Sequence, residues 1–210
     1  MTRSKRVIGV TGITGSGTST VAGILGELGG CVISADKLAH DATKVGQSAY
    51  VAIVGVFGES ILLPSGEINR KALGAMVFGE QNADKLKWLE SVIHPEVLSK
   101  TRQMVDDCKK PFIVIDAPLL IESGLCNECD EVWVVSASNE VRISRIMERD
   151  NIDEYVAKQR LKSRQNDIDL QKRADVVITN NGDISSLRKQ VILSRKKKYT
   201  FCGDLMLPDE

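Results

Sequence analysis

Residues 12–20 read Gly-Ile-Thr-Gly-Ser-Gly-Thr-Ser-Thr, and this stretch decides the fold. It has the layout of a phosphate-binding loop, in which glycines permit a tight turn that directs backbone N–H groups inward. A helix that begins at the loop adds its positive N-terminus at the same point. We therefore predict a nucleotide-binding site that is formed by Gly12, Gly15, Ser16, Gly17, Thr18, Ser19 and Thr20, with Ser19 also holding Mg²⁺.

The flanking sequence supports this interpretation, because such a loop lies between a strand and a helix. Residues 7–10 form a short apolar run that predicts a buried strand. After the loop, Val21, Ile24, Leu25 and Leu28 share one face of a helix that stops at residues 29–30, a Gly-Gly pair. The alternative is a Gly/Ser/Thr-rich turn with no ligand, and it gains weight from Thr18, because the loop pattern requires lysine at that position.

Composition limits the class of protein. The 210 residues suit one domain, and Lys plus Arg equals Asp plus Glu at 28 each, so no charge excess favours nucleic acid. No apolar stretch reaches membrane-spanning length, and residues 1–6 show no signal-peptide core. We expect a soluble cytoplasmic protein with reduced cysteines and no obligate protein partner. Cys126 and Cys129 form a lone C-x-x-C without a second ligand pair, which disfavours a metal site.

Four further apolar runs follow the first and alternate with helical patterns: residues 31–33, 112–115, 132–135 and 176–178. Nearly continuous apolar runs are typical of parallel strands that are buried on both faces. The chain therefore predicts an α/β fold with a five-stranded, doubly wound parallel sheet. Ligands in such sheets bind beyond the carboxyl ends of the strands.

Two long segments between strands predict helical additions to the single domain. Residues 37–110 are too long for one crossover helix and are predicted to form a helical insertion on the substrate side. Residues 138–174 are charged and helix-rich. The last helix, about 185–198, ends in four basic residues, Arg195 to Lys198, which we expect to be solvated.

Two carboxylates follow strands on the side of the loop. Asp116 ends the third run, where P-loop enzymes keep an acid that helps to hold Mg²⁺. Asp36 follows the second run and can accept a proton from an attacking hydroxyl or hold Mg²⁺ through water. The alternative for Asp36 is a helix N-cap.

Seven blocks in order resemble the dephospho-coenzyme A kinase family, which transfers the γ-phosphate of ATP to the 3′-hydroxyl of dephospho-coenzyme A. They are residues 8–12, 34–40, 57–58 with 66–70, 94–95, 116–122, 174–178 and 180–182. The resemblance spans about residues 7–182 and implies a P-loop kinase fold with a helical acceptor-binding insertion and a helical lid. It also implies ATP, Mg²⁺ and dephospho-coenzyme A as the small molecules bound.

By this resemblance, Asp36 is the catalytic base, Ser19 and Asp116 support Mg²⁺, and Arg145 is a second catalytic residue. The implied acceptor-binding residues are Asp36, His40, Arg70, His94 and Asp116, and the implied nucleotide-binding residues beyond the loop are Arg145, Arg149 and Asn181. Alternatives remain for several of them. Arg70 is alternatively an ordinary surface residue, and residues 94–95 are alternatively the start of a helix. The stripe of Arg142, Arg145 and Arg149 is alternatively a solvated helix face, and residues 180–182 are alternatively a turn that ends the strand.

Thr18 leaves three hypotheses open. A charge missing about 4 Å from a phosphate oxygen is worth roughly 4 kcal/mol at an effective dielectric near 20, or about a thousandfold in rate. In the first hypothesis the chain is a dephospho-coenzyme A kinase in which Lys37, the arginines of the lid, the loop amides or Mg²⁺ compensate for the missing lysine charge. In the second it is a catalytically silent binding module. The third hypothesis is a nucleoside monophosphate kinase, because the loop also resembles the lysine-less loop of archaeal-type cytidylate kinases.

Overall fold

The computed structural model describes residues 5–162 and 167–199. In these ranges five parallel strands form one sheet with the order β2-β3-β1-β4-β5. The strands are β1 (Arg6–Gly12), β2 (Gly30–Ser34), β3 (Phe112–Asp116), β4 (Glu131–Ser136) and β5 (Val176–Thr179). The α/β class and the five-stranded parallel sheet are thus confirmed.

Helices fill the segments between the strands. They are α1 (Thr18–Glu27), α2 (Ala35–Ala42), α3 (Ser48–Phe57), α4 (Arg70–Val77), α5 (Ala83–Asp107), α6 (Asn139–Asp150), α7 (Glu154–Lys162), α8 (Asp167–Gln171) and α9 (Ile184–Tyr199). Helices α2 to α5 occupy the stretch between β2 and β3, and α6 to α8 lie between β4 and β5. Residues 163–166 of the predicted lid lie outside the described residues. Across the described ranges, no helix is long and apolar enough to cross a bilayer.

The sheet is buried on both faces at its centre. Ile8 and Val10 of β1 pack with α1 and α9, whereas Val7 packs on the opposite face with Val97 and Val105 of α5. This alternation follows from the period of two along a strand. It explains why the central strands are continuously apolar, and it fixes the end of β1 as the position of the loop.

The two edge strands differ from the prediction of burial on both faces. Val32 of β2 is 40% exposed and Val177 of β5 is 44% exposed. An edge strand has a neighbour on one side only, so the helices that cover the sheet leave part of it in water. At the β5 edge, the Gln190 side-chain amide accepts from the Thr179 N–H (3.2 Å) and donates to the Thr179 carbonyl (2.9 Å).

Helix α5 is one continuous element of 25 residues, so the alternative of a helix start at residues 94–95 is wrong. Pro95 lies inside it and removes one intrahelical hydrogen bond, a cost of about 3 kcal/mol. Packing on both sides of the proline offsets this cost. Leu89 contributes to the core of the insertion, and Val97 and Val105 contribute to the core beneath the sheet.

The basic end of the last helix is not wholly solvated, which corrects the expectation for Arg195. Its side chain is buried, its guanidinium carbon lies 4.1 Å from the centre of the Phe112 ring, and it donates to the Leu28 carbonyl at 3.4 Å. An arginine stem packs well on apolar surface, and its head pairs favourably with an aromatic face. The side chains of Lys197 and Lys198 lie outside the described residues.

Candidate functional site

The loop between β1 and α1 requires glycine at particular positions. Gly15 and Gly17 have φ angles of 83° and 95°, in the left-handed region that disfavours side chains. A Cβ atom on Gly12 would lie 2.3 Å from the Val135 carbonyl oxygen, and one on Gly17 would lie 2.4 Å from Nδ2 of Asn180. Gly17 is the N-cap of α1 and has no side chain to cap it. The first amides of α1 are therefore available to an anion.

On one side of the loop lies an oxygen-rich corner. Ser19 donates its hydroxyl to Oδ2 of Asp116 at 2.7 Å. Burial raises the pKa of Asp116, the nearby Ser19 and Thr18 side chains act to lower it, and the charge of Asp36 raises it further. Among the described residues, Oδ1 of Asp116 is buried without a hydrogen-bond partner.

This corner fits a magnesium ion. A hydroxyl and a carboxylate are hard oxygen ligands of the kind that Mg²⁺ prefers, and within the described ranges Oδ1 of Asp116 accepts no other hydrogen bond. Such an ion would also favour the charged carboxylate that burial opposes. The predicted metal ligands Ser19 and Asp116 are therefore brought together, and the Thr18 side chain lies next to them.

The opposite side of the loop is contacted by α6 and by the residue after β5. Arg145 places Nη1 3.4 Å from the Ser16 carbonyl and 3.5 Å from the Gly15 carbonyl, and its Nη2 donates to Oδ1 of Asn180 at 3.2 Å. Asn180 is buried and donates from Nδ2 to the same Ser16 carbonyl at 2.8 Å. Arg145, predicted from the sequence, is thus positioned at the loop.

Two other predicted nucleotide-side residues have different partners. Arg149 donates to both carboxylate oxygens of Asp150 (2.8 and 3.0 Å), and this bonding holds the pKa of Asp150 below its ordinary value. Asn181 accepts from the Ser138 N–H at 2.7 Å, just before α6. Neither residue is brought to the loop by these contacts.

The sequence places Asn180 in the block 180–182 and Arg142 in the arginine stripe, but neither was predicted as a site residue, and both reach the loop. Arg142 is buried and donates from Nε to the Thr14 carbonyl at 2.8 Å and from Nη1 to Oδ1 of Asn139 at 3.0 Å. Their positions in the chain could have identified them. Asn180 is the first residue after β5, and Arg142 lies three residues before Arg145 on the same face of α6.

A cleft of about 590 Å³ includes Asp36, whose charge acts on Asp116 of the oxygen-rich corner. It is lined by Asp36, Lys37, His40, Asp41 and Arg70, so three of the predicted acceptor-side residues meet there. Arg70, the first residue of α4, donates to Nδ1 of His40, which fixes that nitrogen as an acceptor.

The structure decides the alternative role of Asp36 and shows where His94 lies. Asp36 is not the N-cap of α2: the cap is Ser34, whose hydroxyl accepts from the Lys37 N–H at 3.4 Å, so the alternative role for Asp36 is wrong. Asp36 instead lies in the first turn of α2 with its side chain exposed in the cleft. His94 is half-buried on α5 and does not line the cleft.

A parallel α/β sheet with a glycine-rich loop at the end of its central strand and a serine–aspartate corner beside it defines a P-loop kinase. The family profile described as dephospho-CoA kinase matches residues 6–186. The chain therefore belongs to the dephospho-CoA kinase family.

Individual relatives agree with this assignment. The chain is 41% identical to a dephospho-CoA kinase of Geobacter sulfurreducens, over 88% of this chain and 94% of that protein. It superimposes on the dephospho-CoA kinase from Campylobacter jejuni with a TM-score of 0.66 and 31% identity, covering 94% of this chain and 98% of that one. A Thermus thermophilus protein of known crystal structure gives a TM-score of 0.80 and 29% identity, covering 92% and 97%.

Proposed function

We propose that this protein transfers the γ-phosphate of ATP to the 3′-hydroxyl of dephospho-CoA and so forms CoA. The observation that carries the proposal is the neighbourhood of two carboxylates. Asp36 lies in the cleft two residues after Ser34, which is the register partner of Asp116 in the sheet, and the charge of Asp36 contributes to raising the pKa of Asp116. An acceptor in the cleft and a phosphate on the loop would therefore meet between them.

Each chain element then has a role in the transfer. The amides of the loop and of α1 would hold the phosphates of ATP, and Ser19 and Asp116 would hold Mg²⁺. When bound, the ion would supply positive charge that offsets the negative charge on the phosphate oxygens. Asp36 accepts the proton of the 3′-hydroxyl as its oxygen attacks the γ-phosphorus, and ADP leaves with the electrons of the broken bond.

The acceptor cleft is lined by two cations, Lys37 and Arg70, and by two carboxylates, Asp36 and Asp41. We assign the cations to the diphosphate of dephospho-CoA and Asp36 to its 3′-hydroxyl. Asp41 is paired with Lys44 at 2.6 Å. We assign acceptor binding to Asp36 at the start of α2, to His40, Arg70 and His94 within the helical insertion of about 37–110, and to Asp116 at the end of β3. His94 would reach the acceptor from α5 beside the cleft.

On the nucleotide side we assign Arg145 to the phosphates and Arg149 and Asn181 to the bound nucleotide, with about 138–174 as the lid. This requires Arg149 to leave Asp150 when ATP binds, since its contacts are now within α6. The proposal needs small-molecule substrates only, ATP and dephospho-CoA, and places the reaction in the cytoplasm.

The test is release of ADP by the purified protein with ATP, Mg²⁺ and dephospho-CoA, compared with the same mixture without acceptor. Asp36→Asn should lower kcat by about a hundredfold or more, because a general base contributes about 10²- to 10⁴-fold. Asp84→Asn, at an exposed position on α5, is the matched control and should leave kcat unchanged. Absence of acceptor-dependent ADP release contradicts the proposal.

An acceptor panel separates this proposal from the two other hypotheses for the loop. Dephospho-CoA, CMP, UMP and AMP are compared by kcat/KM, and a preference for a nucleoside monophosphate would overturn the acceptor assignment. ATP binding by calorimetry without any turnover would identify a silent binding module. Family membership favours dephospho-CoA over both.

A further inference from the structure

Position 18 lacks the cation that P-loops use to hold phosphate. Thr18 lies beside the Asp116 carboxylate, and Lys37, the nearest lysine in sequence that follows the loop, lines the acceptor cleft. Positive charge for the loop must therefore come from elsewhere in the fold if the proposed transfer is to be fast.

Two guanidinium groups cover the carbonyl side of the loop. Arg142 donates to the Thr14 carbonyl at 2.8 Å, and Arg145 lies 3.4 Å from the Ser16 carbonyl, which also accepts from Asn180 at 2.8 Å. Arg142 is 6% exposed and Asn180 is 5% exposed, so solvent screens these contacts weakly.

The contacted carbonyls belong to peptide groups whose N–H ends are on the other side of the loop. In a trans peptide the N–H points opposite to the C=O, so a cation on the Thr14 carbonyl acts on the Gly15 N–H, and one on the Ser16 carbonyl acts on the Gly17 N–H. Within the described ranges, neither amide donates to another backbone group, whereas the Ser16 N–H between them bonds to the Ile13 carbonyl.

A hydrogen bond to one end of a peptide strengthens the group at its other end, because polarisation adds along a chain of bonds in a low-dielectric site. A guanidinium on the carbonyl therefore makes the opposite N–H a stronger donor to phosphate. It also holds the peptide in the orientation that directs this N–H inward, so no reorganisation is needed when charge develops.

We propose that Arg142 is a positioning residue that compensates for the missing P-loop lysine, by orienting and polarising the loop amides from their carbonyl side. This rests on the proposed function only in that the amides act on the phosphates of ATP. Arg145 acts in the same way on the Gly17 N–H through the Ser16 carbonyl, but Arg142 makes the shorter contact and also donates to Oδ1 of Asn139.

The test is a double-substitution cycle of Arg142→Gln and Thr18→Lys. Glutamine keeps an N–H donor for the Thr14 carbonyl but removes the charge. For each of the four proteins we would measure the Kd of MgATP by calorimetry without acceptor, and kcat with dephospho-CoA. Arg188→Gln, which removes an arginine on α9 that is paired with Glu27, is the matched control and should change neither quantity.

In the background that keeps Thr18, Arg142→Gln should weaken MgATP binding about fivefold and lower kcat about tenfold, less than the loss from a direct oxyanion donor because the charge acts through a peptide. In the Thr18→Lys background both losses should shrink to about twofold or less, since the introduced lysine then supplies the charge directly. Equal fold losses in the two backgrounds would overturn the proposal, because a residue that only stabilises the fold is indifferent to position 18.

A second variant covers the case in which Arg142→Gln does not fold. Asn139 is exposed, and Asn139→Ala removes one of the oxygens that accept a hydrogen bond from the Arg142 guanidinium. Its loss in MgATP affinity should be smaller, about threefold, and should also disappear when it is combined with Thr18→Lys. If the unsubstituted protein shows no acceptor-dependent turnover, the proposed function fails, while the binding arm of the cycle still decides the role of Arg142.

Discussion

Asn180→Ala tests whether Asn180, which contacts the loop, controls nucleotide binding more strongly than the neighbouring Asn181, which does not. The substitution removes the Nδ2 donor to the buried Ser16 carbonyl and the Oδ1 acceptor for Arg145. A buried polar group left without a partner costs about 1–3 kcal/mol. Arg145 still lies 3.4 Å from the Ser16 carbonyl and offsets part of this, so we expect a loss of about 2 kcal/mol.

The free protein can relieve this cost by moving the loop, whereas bound phosphates require the loop in place, so MgATP binding bears the cost. At about 1.4 kcal/mol per factor of ten, the KM for MgATP then rises roughly 30-fold. Asn181→Ala is the matched comparison, because it removes a single hydrogen bond to the Ser138 N–H and should raise KM by about threefold at most. Steady-state kinetics at saturating dephospho-CoA measures both variants, with thermal unfolding to verify that they are folded. A larger KM effect for Asn181→Ala would refute the reasoning, as would an Asn180→Ala variant within about threefold of the unsubstituted protein.

Substitutions of Asp116, Gly17 and Arg195 probe the metal corner, the loop and the last helix. Burial raises the pKa of Asp116 in the folded protein above its value in the unfolded chain. The ionised side chain therefore destabilises the ligand-free fold at pH values above the folded pKa, and this destabilisation disappears as the pH falls through the folded pKa. Asp116→Asn should therefore raise Tm at pH 7 without Mg²⁺ while lowering kcat by about a hundredfold or more; a lower Tm contradicts this. Gly17→Ala should weaken MgATP binding about tenfold or more, because an alanine there carries a left-handed strain of about 1–2 kcal/mol and its Cβ approaches Asn180 closely. Gly55→Ala is the matched comparison, because its Cβ would lie in open space on a helix. It should stabilise the fold by about 0.5–1 kcal/mol in urea unfolding. Arg195→Ala should cost about 2 kcal/mol of unfolding free energy, and exposed Lys196→Ala less than about 0.5; equal values would show that the aromatic contact contributes nothing.

The central part of the fold could be predicted because its signals are local. A run such as residues 112–115 is apolar throughout since β3 is covered on both faces, and the glycine-rich loop marks the end of β1. Strand order is a non-local property, so the same pattern did not reveal that β2 and β5 are edges with Val32 and Val177 exposed. Likewise Pro95 locally suggests a helix boundary, and only packing on both sides of it keeps α5 continuous.

The site was predictable at the strand ends and less so on the helices. Asp116 is the last residue of β3 and Asp36 lies two residues after the end of β2, so topology alone brings both to the carboxyl end of the sheet. Arg142, Arg145 and Arg149 share a stripe, but which of them reaches the loop depends on the angle of α6 and on competing partners such as Asp150. Side-chain competition of this kind leaves no trace in residue spacing.

The central position of β1 has a consequence for how this protein can diverge. The proposed acceptor residue Asp36 follows one edge strand, β2, and Asn180 follows the other, β5, with four strand spacings, about 19 Å, between these strands. Substitutions this far apart generally combine additively in free energy. A lineage can therefore vary α2 and α4 to change acceptor preference while α6 and the β5 edge drift separately, and the resulting changes in kcat/KM should multiply rather than interfere.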